Sequence, residues 1–146
     1  VIGESRERLV SDMRVLVATD GSECSYAAAR LFIRLVHATH CEIKALYVIP
    51  LLPLGRDTGF LEIEEEREAM GALNTVRTIF SQVGLSIQTE IRQGIPADTI
   101  LEVAEKENFD LIVIGHHGRG GFKEFLLGSV SKVVAHKAPC SVLIGR

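Results

Sequence analysis

The sequence of 146 residues predicts an α/β fold: one open, mainly parallel five-stranded sheet with helices on both faces, three layers in all. Short β-branched apolar runs alternate with helix-period stretches along the chain. That order calls for parallel strands joined by right-handed crossovers. One run, 110–115, is apolar almost throughout, as a central strand covered on both faces must be. Another, 85–94, alternates apolar and polar residues and marks an edge strand with one wet face.

The first strand is expected over 14–19, RVLVAT, and stops at DGSECS, a cluster of turn and helix-capping residues. A helix follows over 23–39. Its apolar stripe holds Ala27, Ala28, Leu31, Leu35 and Val36, with Asp20 or Ser22 placed to cap its free N–H groups. The second strand is 42–49, EIKALYVI. Prolines and glycines across 50–60 favour neither helix nor strand, so that stretch reads as a mobile loop. Residues 61–83 run helical, with Ile63, Met70, Leu73, Val76, Phe80 and Val83 near helical spacing. The acids at the start suit the helix dipole and read as a solvated face.

In 85–94, Leu85, Ile87, Thr89 and Ile91 share one face. Pro96 opens a short helix to about 107, the apolar strand 110–115 follows, and a last helix leads to CSVLIG, 140–145, the other sheet edge. Residues 1–13 form a polar leader and 14–146 a single domain.

Composition narrows the functions. With 47% hydrophobic and 24% charged residues the chain is an ordinary globular protein with a packed core. A net charge of -3 offers no general attraction to nucleic acid or anionic lipid, so any anion site must be local. No apolar stretch approaches the roughly 18 residues of a membrane span. Cys24, Cys41 and Cys140 lack a C-x-x-C pairing and read as small buried thiols in a reducing cytoplasm.

The chemistry concentrates in GHHGRGGFKEFLLGSV, 115–130, which holds five glycines. In open parallel sheets ligands gather beyond the carboxyl ends of the strands, where chain order reverses, and strand 110–115 delivers Gly115 to such an end. Glycines let backbone N–H groups approach an anion. The helix start at Gly128, Ser129 and Val130 adds unpaired N–H groups, and Ser129 and Ser131 add hydroxyls. Two readings stay open on spacing alone: a phosphate cradle, or a turn and surface loop. Neither G-x-x-x-x-G-K-[ST] nor a G-x-G-x-x-G after the first strand is present, which weakens hydrolase and dehydrogenase readings built on those motifs.

The segment fits G-x2-G-x9-G-[ST], with Gly115, Gly118, Gly128 and Ser129 at the fixed positions. Together with VATDGS, ALYVI and APCSVLIGR, it makes residues 14–146 resemble the universal stress protein family, in its ATP-binding subgroup. The resemblance implies a Rossmann-like sheet of the adenine nucleotide alpha hydrolase type, in strand order 3-2-1-4-5, and binding of ATP, or of AMP or ADP. By position it implies Asp20 at the ribose or phosphates, the backbone of Val48 at adenine, and Ala18 and Thr19 lining the same pocket. Gly115 is implied near the ribose, with Gly118, Gly128, Ser129 and Val130 holding phosphates and Ser131 joining them. His116 stands at the ribose side, where a small hydroxyl residue is more common in the family. A homodimer through the last strand is implied as well, and an exposed apolar edge calls for such cover.

Mg²⁺ held between Asp20 and phosphates suits an ion that takes one carboxylate plus substrate oxygens; a plain helix cap is the alternative role for Asp20. His116 and His117 lack a partner at ligand spacing and read as surface or ligand-lining imidazoles. His37 and His40 read as cations at a helix end; Arg119 and Lys123 stand near the cradle, either steering a triphosphate or as ordinary solvated side chains, and are treated as peripheral. No residue stands out as a catalytic base or transition-state cation. The expectation is therefore a nucleotide-dependent switch or sensor in stress response that acts on an unidentified signalling partner. A slow ATPase or phosphotransferase, and a dimeric scaffold without ligand, are the alternatives.

Overall fold

The computed structural model describes residues 13–36, 40–51, 59–119 and 126–146, leaving aside the side chains of 59–61. The expectations for the leader, for most of the 50–60 stretch, for His37 and for Lys123 lie outside the described residues. The elements in chain order are β1 (Met13–Ala18), α1 (Glu23–Leu35), β2 (Cys41–Pro50), α2 (Gly59–Ser81), β3 (Gln88–Gly94), α3 (Pro96–Lys106), β4 (Leu111–Gly115), α4 (Ser129–Lys137) and β5 (Ser141–Gly145). The five strands form one parallel sheet in the order β3-β2-β1-β4-β5, the order expected. β1 begins at Met13, paired with Cys41, one residue before the expected start.

Strand alternation divides the core into two layers. Val15 and Val17 of β1 face α1 and α2 and pack with Ala28, Phe32, Val76 and Phe80. Leu16 and Ala18 face the opposite way, toward Ile100 and Val103 of α3 and Val134 of α4. β4 is covered on both faces, since Ile112 belongs to the second layer and Val113 to the first, as its apolar run predicts. β3 lies at one edge with Ile91 36% exposed, and β5 lies at the other.

The apolar stripes of the two longest helices match the expected ones in part: Ala28, Leu73, Val76 and Phe80 are buried as expected, and other positions differ. In α1 the buried residues are Ser25, Ala28, Ala29 and Phe32, while Leu35 is 62% exposed. The helix stops at Leu35, short of 39, where Val36 turns extended and donates its N–H to the carbonyl of Phe32. In α2 the buried set is Ala69, Ala72, Leu73, Val76, Ile79 and Phe80, whereas Met70 and Ile63 are exposed, and Val83 sits in the turn beyond the helix. Ala28, Ala29, Ala69 and Ala72 share the sheet-facing positions with Phe32 and Phe80, while Leu35, Ile63 and Met70 turn out. Cys24, Cys41 and Cys140 form no disulfide and are half-buried rather than fully buried, and burial pushes the Cys140 thiol up.

An ion cluster ties β2, β3 and the end of α3. Lys44 Nζ lies 2.9 Å from Glu90 and 2.8 Å from Glu107, and Glu90 also pairs with Arg92. Burial alone would raise the Glu90 pKa, but hydrogen bonds from Arg92 and Lys44 outweigh it and hold the carboxyl below its ordinary 4.5. A depressed carboxylate stabilises the fold fully above its unfolded pKa and stops doing so as pH falls through the folded one. Urea unfolding between pH 7 and pH 3 is expected to show a stability gap between wild type and Glu90→Gln that is widest near neutrality and narrows below about pH 4.5.

Candidate functional site

At the end of β1 the chain makes one further ladder contact, from Thr19 N to the carbonyl of Leu46 at 3.0 Å, and then turns into α1. Thr19 Oγ1 accepts from Gly21 N at 3.1 Å and shares a hydrogen bond with Ser25 Oγ at 2.8 Å. Ser22 is the helix cap, its hydroxyl accepting from Ser25 N at 3.2 Å. That leaves Asp20 for another task. Its Oδ1 accepts from Ser22 N at 2.9 Å, and its Oδ2 accepts from the backbone N of Arg119 at 3.1 Å, across to the glycine-rich segment. A Cβ on Gly118 would overlap Asp20 Oδ2, so the segment reaches the carboxylate only because Gly118 is bare.

The two ends of that segment are stitched together. His116 N donates to the carbonyl of Gly145 at 2.6 Å, and the carbonyl of His116 accepts from Gly128 N at 2.9 Å. Ser131 Oγ donates to the same His116 carbonyl at 2.7 Å and lies 3.1 Å from the carbonyl of Gly128. α4 starts immediately beyond, with Gly128 as an N-cap that has no side chain to accept from its first-turn N–H groups.

Between the carboxyl ends of β1, β2 and β4 and the N-terminus of α4 lies a cavity of about 750 Å³. It is lined by Ala18, Thr19, Asp20, Val48, Gly115, Gly118, Gly128, Ser129, Val130 and Ser131, so the fold gathers these expected site residues around one space. His116 is the exception. It does not line the cavity; its backbone is engaged with Gly145 and Gly128, and its ring stacks edge-on against His117 at 5.3 Å. The hydroxyl of Ser131 also departs from expectation, since it is 2% exposed and turned to backbone carbonyls rather than to the cavity.

Val48 occupies a particular place. β1 ends level with Leu46, whose carbonyl still takes the Thr19 N–H. Backbone groups two residues apart on a strand point the same way, so the N–H and C=O of Val48 face the side on which β1 has run out. The opposite edge of β2 is paired with β3.

Several lining residues were not singled out from the sequence: Tyr47, Pro50, Pro96, Ile100, Leu126 and Leu127 form apolar walls, and Glu65 and Glu68 reach in from α2. The two glutamates belong to the acidic run read as a solvated face, where nothing in the periodicity separates them from their neighbours. Arg119, expected at the periphery, also lines the cavity, with Nη1 2.7 Å from Glu68 Oε2. That hydrogen bond raises the Arg119 pKa, and burial lifts the Tyr47 phenol above its ordinary range against the pull of the Arg119 charge. Cys24 Sγ lies 3.7 Å from His117 Nδ1 at the rim. Among the described residues no group of three or more His, Cys, Asp or Glu is placed to hold a metal by itself.

Compared with known proteins, residues 13–146 match the model of the universal stress protein family. A universal stress protein of Methanocaldococcus jannaschii is 36% identical over 136 residues, covering 90% of this chain and 80% of that protein. The structure of universal stress protein UspA from Lactobacillus plantarum is similar with a TM-score of 0.79 at 27% identity, covering 93% of this chain and 99% of that one. At lower identity the same fold occurs in a universal stress protein in complex with cAMP (TM-score 0.67, 24% identity, covering 92% and 97%). It occurs again in an Arabidopsis thaliana family protein with AMP bound (TM-score 0.65, 17% identity, covering 90% of each chain).

Replacing Asp20 by Ala leaves the N–H groups of Ser22 and Arg119 without their acceptor. Urea unfolding is expected to register a loss of about 1–3 kcal/mol, and the Arg119 amide should exchange its proton faster than in wild type.

Proposed function

The chain belongs to the universal stress protein family, and from that premise we propose that its cavity binds an adenine nucleotide, ATP foremost, as a ligand-dependent switch. The observation that carries this reading is the meeting, in one cavity, of the open strand edge at Val48 and the uncapped helix start at Ser129. The first offers an adenine edge one backbone donor and one acceptor. The second offers an anion several N–H groups along a favourable dipole. AMP and cAMP in proteins of the same fold support an adenine ligand.

In this arrangement Ala18 and Thr19 wall the nucleotide, Gly115 sits by the ribose, and Asp20 accepts from a ribose hydroxyl. Gly118, Gly128, Ser129, Val130 and the backbone of Ser131 take the phosphates. Each Asp20 oxygen accepts one N–H, which leaves lone pairs for a further partner, and Mg²⁺ suits such a carboxylate with phosphate oxygens completing its shell. The ion would neutralise phosphate charge. Among the described lining residues no histidine–carboxylate pair is set to activate water, which favours retention of ATP over its hydrolysis. Engagement of the ligand by Gly118, Arg119 and Gly128 then alters the surface seen by a signalling partner.

The β5 edge, with Val142, Leu143 and Ile144 half-buried, is assigned to pairing with a second copy. Sedimentation at micromolar concentration should give a dimer; a monomer sinks the assignment. For the ligand, freshly purified protein is denatured, the released nucleotide identified by mass spectrometry, and a second sample incubated with ATP and Mg²⁺. Bound ATP that stays intact is the expected result, and steady ADP release means an ATPase instead. A Cβ on Gly128 would already lie 3.0 Å from His117 Cα, so Gly128→Val is expected to weaken ATP binding about 100-fold or more while circular dichroism stays native.

A further inference from the structure

We infer that Arg119 is the residue by which this cavity distinguishes a triphosphate from a monophosphate, through exchange of its partner Glu68 for the distal phosphates. The inference rests on the reading of the cavity as an adenine-nucleotide site. Among the described lining residues there are three carboxylates, Asp20, Glu65 and Glu68, and one guanidinium, Arg119. With Arg119 engaged by Glu68 the wall is acidic, and each phosphate added to a ligand meets more repulsion. A polyphosphate is accommodated once the guanidinium turns to it.

The geometry makes that exchange easy. The backbone of Arg119 is fixed by Asp20, so its side chain swings from a set origin at the cavity wall. Its Nη2 lies against the Gly21 turn, where a Cβ would come within 2.7 Å, while Nη1 holds Glu68 at 2.7 Å. The paired side chains are 49% and 54% exposed, and an ion pair that wet contributes little. A guanidinium on phosphate makes charge-assisted, two-pronged hydrogen bonds, which are stronger. The exchange also cuts the Glu68 tie between α2 and the glycine-rich segment, so the number of phosphates is reported to the α2 surface.

The test is calorimetric titration of ATP and of AMP into wild type, Arg119→Gln, Glu68→Gln and the double variant. Arg119→Gln is expected to weaken ATP about 10- to 100-fold and AMP by less than about threefold. Glu68→Gln, which frees the guanidinium and also removes one lining carboxylate, should tighten ATP roughly two- to fivefold, and most of this gain should be lost in the double variant. Equal losses for ATP and AMP in Arg119→Gln, or a Glu68→Gln gain that is undiminished without Arg119, overturns the inference and leaves the nucleotide reading standing. Failure of wild type to bind either nucleotide overturns both.

Discussion

Helix α1 rests on bare backbone at the carboxyl ends of β4 and β5, and the site depends on that contact. Gly115 and Gly145 are register partners in adjacent strands. A Cβ at Gly115 would stand 2.8 Å from the backbone of Cys24 and Ser25, and one at Gly145 would overlap Ala28. Two missing side chains thus let the helix sit lower than any alanine would permit. Because the first turn of α1 is held there, Ser25 meets Thr19, Ser22 takes over the capping role, and Asp20 is released to face the glycine-rich segment. A wider spacing would break this chain of hydrogen bonds at its first link.

The same arrangement accounts for the proposed anion site in a chain with net charge -3. The attraction is local and made of backbone. Uncapped N–H groups at Ser129 and beyond supply positive potential without any lysine, and the carbonyl of His116 anchors both Gly128 and Ser131 so that this helix end keeps its direction. On the opposite wall the proposed site carries the acidic side chains of Glu65 and Glu68. A cavity with backbone donors on one side and carboxylates on the other discriminates among ligands by charge more sharply than a uniformly basic one.

Much of the fold was legible because it follows from periodicity. The uninterrupted run of β4 and the alternation in β3 announce a covered strand and an edge, and the structure has them so. The rotation of each helix about its axis was less legible. Leu35, Ile63 and Met70 fit a helical stripe as well as Phe32 or Ala69 does, and only packing against the sheet selects the face that carries Phe32, Ala69 and Phe80. Among site residues, Gly115 at its strand end and the helix start at Gly128 to Val130 follow from the chain's spacing, while Ala18, Thr19, Asp20, Val48 and Gly118 came from the family resemblance; all of these line the cavity, and His116 of the same segment does not. Glu65 and Glu68 could not be placed from the chain, since a charged side chain in a polar run carries no mark of what it faces across the fold.

The sequence by itself determined the order of elements, the parallel sheet, the position of the glycine-rich turn at a strand end and, by resemblance, the family. These depend on local propensity and spacing, which are written along the chain. Only the tertiary structure decided that Ser22 rather than Asp20 caps α1, that Ser131 turns its hydroxyl to the backbone, that His116 leaves the cavity and that Arg119 meets Glu68. Each of these is a choice among partners brought together from distant parts of the chain, and such a choice exists only after the sheet and its helices have closed around it.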